Sequence, residues 1–329
     1  MSSLVSIVSP VFNEADSIPL FLAAVRDAFR SMSVESAPAV NRPTSPVDYE
    51  IILVVDPSTD GTEEVIRAAA EADPRVRMVR MSRRFGQPAC TIAGLAHARG
   101  DAAIVIDSDL QDPPALIPEM IRRWQAGAPL VLAQRASRSG EPWLKRVVSA
   151  GGYSFLSRFS DVPIPPDTGD FRLMDRRVVE LVLSFPESNA FLRGIVALVG
   201  FDGEVVHFDR PPRPRGRTKY NRYLGSLRIG LNGVVGFSTA LLNVSTLLGI
   251  LAAGSAFVVG VGYAIATVLG APFPVGNPSI VVLVLFMGGL NLIALGILGL
   301  YVGRIYDESK RRPRFIVREL VGFESDPSN

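Results

Sequence analysis

Along residues 1–228 the apolar positions gather into short runs: LVSIVSP, YEIILVVD, VRMVRM, AAIVID and PLVLAQ. Apolar runs of this length between turn residues read as buried strands. Between them lie stretches with helical spacing, one around Ala15 to Met32 and another at TEEVIRAAAEA. The second carries Glu63 and Glu64 in its first turn, where the helix dipole favours acids. Strands alternating with helices predict an α/β domain whose mostly parallel sheet is covered on both faces. In such sheets ligands bind beyond the carboxyl ends of the strands. Chemistry is therefore expected in PVFNEA, DPSTDGT, DSDLQDPP and AQRASR, which follow those strands. The start, MSSLVSIVSPVF, has no basic segment before its apolar run and reads as a first strand rather than a signal peptide. Residues 33–48, SVESAPAVNRPTSPVD, read as a surface insertion.

The pattern changes near the end of the chain. No Asp, Glu, Lys or Arg occurs from Ile229 to Gly303, in a protein that is 20% charged overall. A membrane-spanning helix needs about 20 apolar residues. Two spans therefore fit, at about Thr239 to Gly270 and Ile280 to Val302, joined by the proline-rich turn APFPVGNPS at 271–279. A soluble core helix would show a polar stripe, and none is seen here. The second span runs into GRIYDESKRRPRFIVRE, where Arg and Lys outnumber the acids. The positive-inside rule then places both flanks of the hairpin in the cytoplasm. Before the first span, DRPPRPRGRTKYNRYLGSLRIGLNGVVGF passes from basic to amphipathic to apolar, with Leu224, Leu227, Leu231 and Val234 at helical spacing. That is the pattern of a helix lying in the membrane interface. The expected organisation is a domain at 1–219, a juxtamembrane amphipathic helix at 220–238, a transmembrane hairpin at 239–303 and a basic cytoplasmic tail at 304–329.

Composition narrows the chemistry. A net charge of +2 predicts no nucleic-acid partner. A single cysteine, Cys90, excludes an internal disulfide and suits a reducing compartment. With only His97 and His207 beside it, a zinc site is not expected. Neither GxxxxGK[ST] nor a GxGxxG after a strand is present, so phosphate-loop and dinucleotide sites are excluded.

The densest cluster of candidate residues is AAIVIDSDLQDPP. Asp107 and Asp109 stand two apart at a strand tip and so point the same way. Like charges that close repel unless a cation or proton intervenes. The pair suits Mg2+ or Mn2+, which binds one or two carboxylates, water and phosphate oxygens. Asp112 before Pro113 either joins them or caps the next helix. Asp56 ends the second strand, where it can accept hydrogen bonds from a base or ribose. Asp60 either makes the Asp-Gly turn or touches ligand. Asn13 and Glu14 either meet a nucleobase edge or cap the first helix.

Together PVFNEADSIP, VVDPSTDGT, RRFGQPACTIAGLAHARGDAAIVIDSDLQDPP and TGDFRLMDR resemble family-2 glycosyltransferases. The branch they are most similar to is the polyprenyl-phosphate glycosyltransferases, and the likeness extends over nearly the whole chain. It implies a GT-A fold and inverting transfer of a hexose from a nucleotide sugar to a polyprenyl phosphate at the cytoplasmic face of a bacterial inner membrane. UDP-glucose or a relative is expected ahead of GDP-mannose. By position, Pro10, Phe12, Glu14 and Asp56 would line the nucleoside pocket, Asp107 and Asp109 would hold the metal and diphosphate, and Gln111 would lie near the donor. Asp109 and Asp170 would be the catalytic acids, Asp170 lying near the sugar. Arg213, Arg217 and Lys219, with Arg135, would clamp the acceptor phosphate. One departure is that Pro57 follows Asp56 where the family usually has a second acid.

Two other readings share these features. A processive polysaccharide synthase usually has more spans and a Gln-x-x-Arg-Trp motif beyond the catalytic acid. Here Arg123-Trp124 precedes TGDFR and lacks the Gln. A non-catalytic membrane scaffold that binds nucleotide sugar would not need all of Asp107, Asp109 and Asp170. Gly288, Gly289, Gly296 and Gly299 offer a face for self-association of the spans into a homo-oligomer.

Overall fold

The computed structural model describes residues 3–35, 46–135, 168–186, 192–209, 240–270 and 278–323. Arg213, Arg217, Lys219, the expected amphipathic helix at 220–238 and most of the 33–48 insertion and the 271–279 turn lie outside the described residues. The chain forms two units, one of residues 1–150, 162–221 and 312–329, the other of 151–161 and 222–311.

The first unit is built on eight strands: β1 (Ser3–Val11), β2 (Val47–Val55), β3 (Val76–Met81), β4 (Ala102–Val105), β5 (Leu130–Arg135), β6 (Thr168–Asp175), β7 (Gly203–Phe208) and β8 (Val317–Val321). They form one sheet in the order β7-β5-β6-β4-β1-β2-β3-β8. The central strands β4, β1, β2 and β3 are parallel, as their continuous apolar runs require. Ile7, Ile51, Leu53, Ile104 and Val105 are all fully buried.

Helices cover both faces. Packed together on one side are α1 (Ile18–Glu35), α2 (Thr62–Ala72) and α4 (Ile117–Gln125). On the other, α3 (Gln87–His97) lies along β1 and β2 and meets α5 (Arg176–Ser184), which in turn packs against α6 (Leu192–Val199). Gly94 makes the approach of α3 possible, because a Cβ there would stand 2.3 Å from Val8 Cγ1 and 2.9 Å from Val54 Cγ2.

Three strands were not foreseen. β6 runs antiparallel to both β4 and β5, and β7 pairs parallel with β5. β8 comes from the stretch expected to be a basic tail. It pairs antiparallel with β3, and Glu319 on it takes a two-pronged ion pair from Arg67 at 2.9 and 3.0 Å. Arg314 just before it donates to the carbonyls of Phe185 and Leu183, both at 2.8 Å, at the end of α5. The segment VRELV shows no clean polar–apolar alternation, and beside so many basic residues it reads as tail.

The Arg123-Trp124 pair proves structural. Arg123 pairs with Glu119 and Glu204, and the Trp124 indole donates to Asp175 at 3.0 Å, tying α4 to β6 and β7.

In the second unit, α7 (Ala240–Val268) and α8 (Pro278–Ser309) are both long and apolar enough to cross a membrane. Their large apolar side chains face outward, with Phe257 73% and Leu292 71% exposed. That is the reverse of a soluble core helix. α8 continues past the last apolar residue as a charged helical end through Asp307 and Glu308.

At the end of the sheet opposite the ligand-binding loops, Glu50 is buried in β2. It accepts from the Ser6 hydroxyl at 2.6 Å and the Arg99 N–H at 2.8 Å, and pairs with Arg77. Removing one partner of a buried pair leaves the other uncompensated. Glu50→Ala is therefore expected to lower stability by about 3–5 kcal/mol, read as a large drop in melting temperature, while Asp48→Ala on the same strand shifts it little.

Candidate active site

The site is assembled from loops at the carboxyl ends of β1, β2, β3 and β4 and from the start of β6. The first two loops are laced together. The Asn13 side chain accepts from Thr59 N–H at 2.8 Å, and Asn13 N–H donates to Ser58 Oγ at 3.0 Å. Asn13 has a φ of 52°, in the left-handed region that asparagine tolerates better than most residues. Asp60 accepts from Ala15 N–H at 3.2 Å and Thr62 N–H at 3.1 Å and from the Thr62 hydroxyl. Burial pushes its pKa up, but these donors outweigh burial and hold the carboxyl below its usual range. Asp60 is thus a turn residue. Glu14 accepts from the Ser17 hydroxyl at 2.8 Å at the entry to α1. Pro10 is half-buried beside Val54, and the Phe12 ring carries the Arg84 guanidinium over its face at 4.0 Å.

Asp56, at the end of β2, also reaches the loop after β3. Its side chain is buried, with the residue 2% exposed, and its two oxygens accept from Phe85 N–H at 3.0 Å and Gly86 N–H at 2.8 Å. These are the backbone donors just before α3, whose N-cap is Gly86. Asp56 therefore fixes the loop after β3. Burial and this carboxylate together push the Cys90 thiol up, which keeps it neutral.

Asp107 and Asp109 stand half-buried beyond the tip of β4, with Ser108 buried between them. Asp109 accepts from Gln111 N–H at 3.0 Å, which turns the chain at Leu110, whose φ is 59°. The short 3-10 turn that follows starts at Pro113 with no side-chain cap, and Asp112 is buried.

Asp170 reaches the same place from the other direction. β4 and β6 pair with Val105 opposite Arg172. Continuing that antiparallel register by two residues sets Asp170 opposite Asp107. Asp170 and Arg172, two apart, share a face.

Two arginines hold Asp170. Arg193 from α6 grips it with Nε at 2.8 Å and Nη2 at 3.2 Å. Arg172 is 2% exposed and donates to the carbonyls of Gly169 at 2.9 Å and Asp170 at 3.2 Å and to the carboxylate at 3.4 Å. Burial lowers the Arg172 pKa to about 10 even with Asp170 beside it. On Asp170, burial pulls upward, but Arg193 first, then Arg172 and Arg135, prevail and hold the carboxyl below its usual range. Gln87, the first residue of α3, donates its amide to Asp107 at 2.9 Å and to Asp170 at 3.4 Å.

Gln87, Arg172 and Arg193 were not singled out from the sequence. The first two lie within FGQPAC and TGDFRL, so their motifs were in view. A polar residue opening a helix directly after a strand-end loop was the available signal for Gln87.

A mostly parallel sheet thus carries paired acids beyond the tip of one strand and a third acid brought back by an antiparallel neighbour. The chain belongs to glycosyl transferase family 2, whose profile matches residues 6–183. Its fold is of the GT-A type. It is 42% identical over 315 residues, 95% of this chain and 98% of the relative, to the bactoprenol glucosyl transferase of Shigella phage SfV. It is 40% identical over 316 residues, 96% of this chain and 99% of the relative, to the prophage bactoprenol glucosyl transferase homolog of Escherichia coli K12. Among solved structures, glucosyl-3-phosphoglycerate synthase from Mycobacterium tuberculosis, in complex with Mn2+, UDP and glucosyl-3-phosphoglycerate, aligns at 21% identity with a TM-score of 0.43, covering 71% of this chain and 78% of that one.

Asp170 titrates lower in the folded chain than in the unfolded one. Its pairing therefore stabilises the fold fully above about pH 4, the ordinary carboxylate range, and that contribution is lost as pH falls through its folded value. Melting temperatures measured from about pH 6 down to pH 3 should show this acid-side loss in the native protein and a flatter limb in Asp170→Asn.

Proposed function

We propose that this protein transfers glucose from UDP-glucose to a polyprenyl phosphate, with inversion, at a membrane surface. The observation that carries the reading is the 40–42% identity, over nearly the full length of both partners, to bactoprenol glucosyl transferases. The acid pair at the tip of β4 supports the donor half, and the two exposed apolar helices support a lipid acceptor.

The residues at the tip of β4 suit Mg2+ or Mn2+. Asp107 and Asp109 offer only hard oxygen donors, and among the described residues no group of three or more His, Cys, Asp or Glu side chains gathers into a cage. A cation held there would take the rest of its shell from diphosphate oxygens and water. When bound, it would neutralise the charge of the departing nucleoside diphosphate. Pro10, Phe12 and Glu14 line the nucleoside side in this reading. Asp56 acts behind them, through the loop it holds, and Gln111 sits by the donor.

The acceptor is a phosphate monoester, already anionic at neutral pH, so the protein has little proton to remove. Its task is alignment against the anomeric carbon and charge balance. Asp170, held ionised by Arg193, suits orientation of the sugar and of the neighbouring arginines better than it suits proton abstraction. Arg135, with Arg213, Arg217 and Lys219, takes the acceptor phosphate in this reading. The hairpin of α7 and α8 crosses the bacterial inner membrane with both flanks in the cytoplasm, following the basic residues after α8.

The test is purified protein in detergent with undecaprenyl phosphate, Mg2+ or Mn2+ and a panel of UDP- and GDP-sugars, read by mass spectrometry. A glucosylated lipid phosphate from UDP-glucose is expected, reduced at least about 100-fold by Asp109→Asn, the scale of losing a main electrostatic element. Nucleotide release with no lipid product would overturn the acceptor assignment. Nucleotide binding without turnover on any donor would favour the scaffold reading.

A further inference from the structure

We propose that Gln87 is a positioning residue that sets the spacing between Asp107 and Asp170, and so aligns the diphosphate end of the donor with its reacting end. The inference rests on the transferase reading above. A single amide nitrogen, Nε2, donates to Asp107 Oδ1 at 2.9 Å and to Asp170 Oδ2 at 3.4 Å. It carries two hydrogens, one for each carboxylate, and the opposite amide orientation would set an oxygen against both. The register of β4 against β6, continued two residues past its last pair, sets these two acids opposite each other. Without a donor between them they would repel.

The placement of Gln87 is itself fixed. It opens α3, and the two backbone N–H groups before it are held by the buried Asp56 carboxylate. Gly86 has a φ of 91°, a conformation other residues rarely adopt, so the turn into Gln87 requires glycine there. α3 is pressed onto β1 and β2 at Gly94. The side chain is exposed on the site side while its backbone is anchored. Asp170 is clamped from behind by Arg193 and Arg172. A chain of contacts therefore runs Arg193–Asp170–Gln87–Asp107 and joins the sugar side of the site to the diphosphate side.

If Gln87 sets this spacing, its loss should misplace groups rather than remove a binding contact. Gln87→Ala is expected to lower kcat about 10- to 100-fold, the cost of small misalignment. The donor KM, UDP affinity by calorimetry and the melting temperature should stay close to native. In a double-mutant cycle with Asp170→Asn, the combined loss should be no larger than the greater single loss. Gln87→Glu would put a third carboxylate between the two. Nucleotide-free Gln87→Glu is then expected to bind Mn2+ at least about tenfold more tightly than the native protein, read by electron paramagnetic resonance on free Mn2+ without turnover. An unchanged kcat in Gln87→Ala, a loss confined to KM, additive losses in the cycle, or unaltered Mn2+ binding in Gln87→Glu would each overturn the proposal. Absence of a glycosylated lipid from the native protein would instead count against the transferase reading, and the Mn2+ titration would still decide the role of Gln87.

Discussion

The site is organised around one electrostatic problem: two carboxylates brought opposite each other at the edge between a parallel and an antiparallel strand. The pairing of β4 with β6 makes this unavoidable, because its register carries Asp170 to the level of Asp107. Three side chains answer that problem. Arg172 and Arg193 supply charge to Asp170, and Gln87 supplies an N–H to each acid. Asp170 is balanced by protein groups, and Asp107 and Asp109 set two further carboxylates beside it at the tip of β4. Two hard carboxylates at one strand tip suit a divalent cation that takes the rest of its shell from ligand oxygens and water.

The second constraint is rigidity of the surrounding rim. The loops after β1 and β2 satisfy each other's backbone groups through Asn13, Ser58, Asp60 and Thr62. The loop after β3 is held by Asp56. Short polar side chains bonding to nearby backbone are what makes such segments hold one shape without helix or sheet. A rim that does not reorganise can present preformed donors to a charged ligand, which is where most electrostatic assistance in transfer reactions originates.

Much of this was legible in the sequence, for a physical reason. Parallel strands buried on both faces advertise themselves as continuous apolar runs, so β1 to β5 stood out. The acid pair stood out because two carboxylates at a strand tip violate the expectation of charge separation. β6 was hidden because TGDFRLMD interleaves Asp170 and Arg172 with apolar residues. Its burial of Arg172 depends on partners supplied by folding, not by neighbours in the chain. β8 was hidden for a related reason: Arg314 and Glu319 are held by partners far away in the chain, α5 and Arg67, and a basic stretch after a long apolar helix reads locally as a tail. Asp56 shows a contact that its place in the chain hides. An acid at a strand end reads as a ligand group, and its oxygens also accept from the backbone of a loop some thirty residues away.

The chemistry of the acceptor gives these roles a common sense. A hydroxyl acceptor would call for a general base with a pKa near neutrality, and a carboxyl would reach that only by burial without cationic partners. Asp170 is built the other way. Burial alone would raise its pKa, and the arginines more than cancel that rise. Such a residue is poorly suited to collect a proton and well suited to remain a fixed anion that spaces arginines and a sugar. A phosphate monoester needs no deprotonation to attack, so the site can use its carboxylates for geometry and its cations for charge.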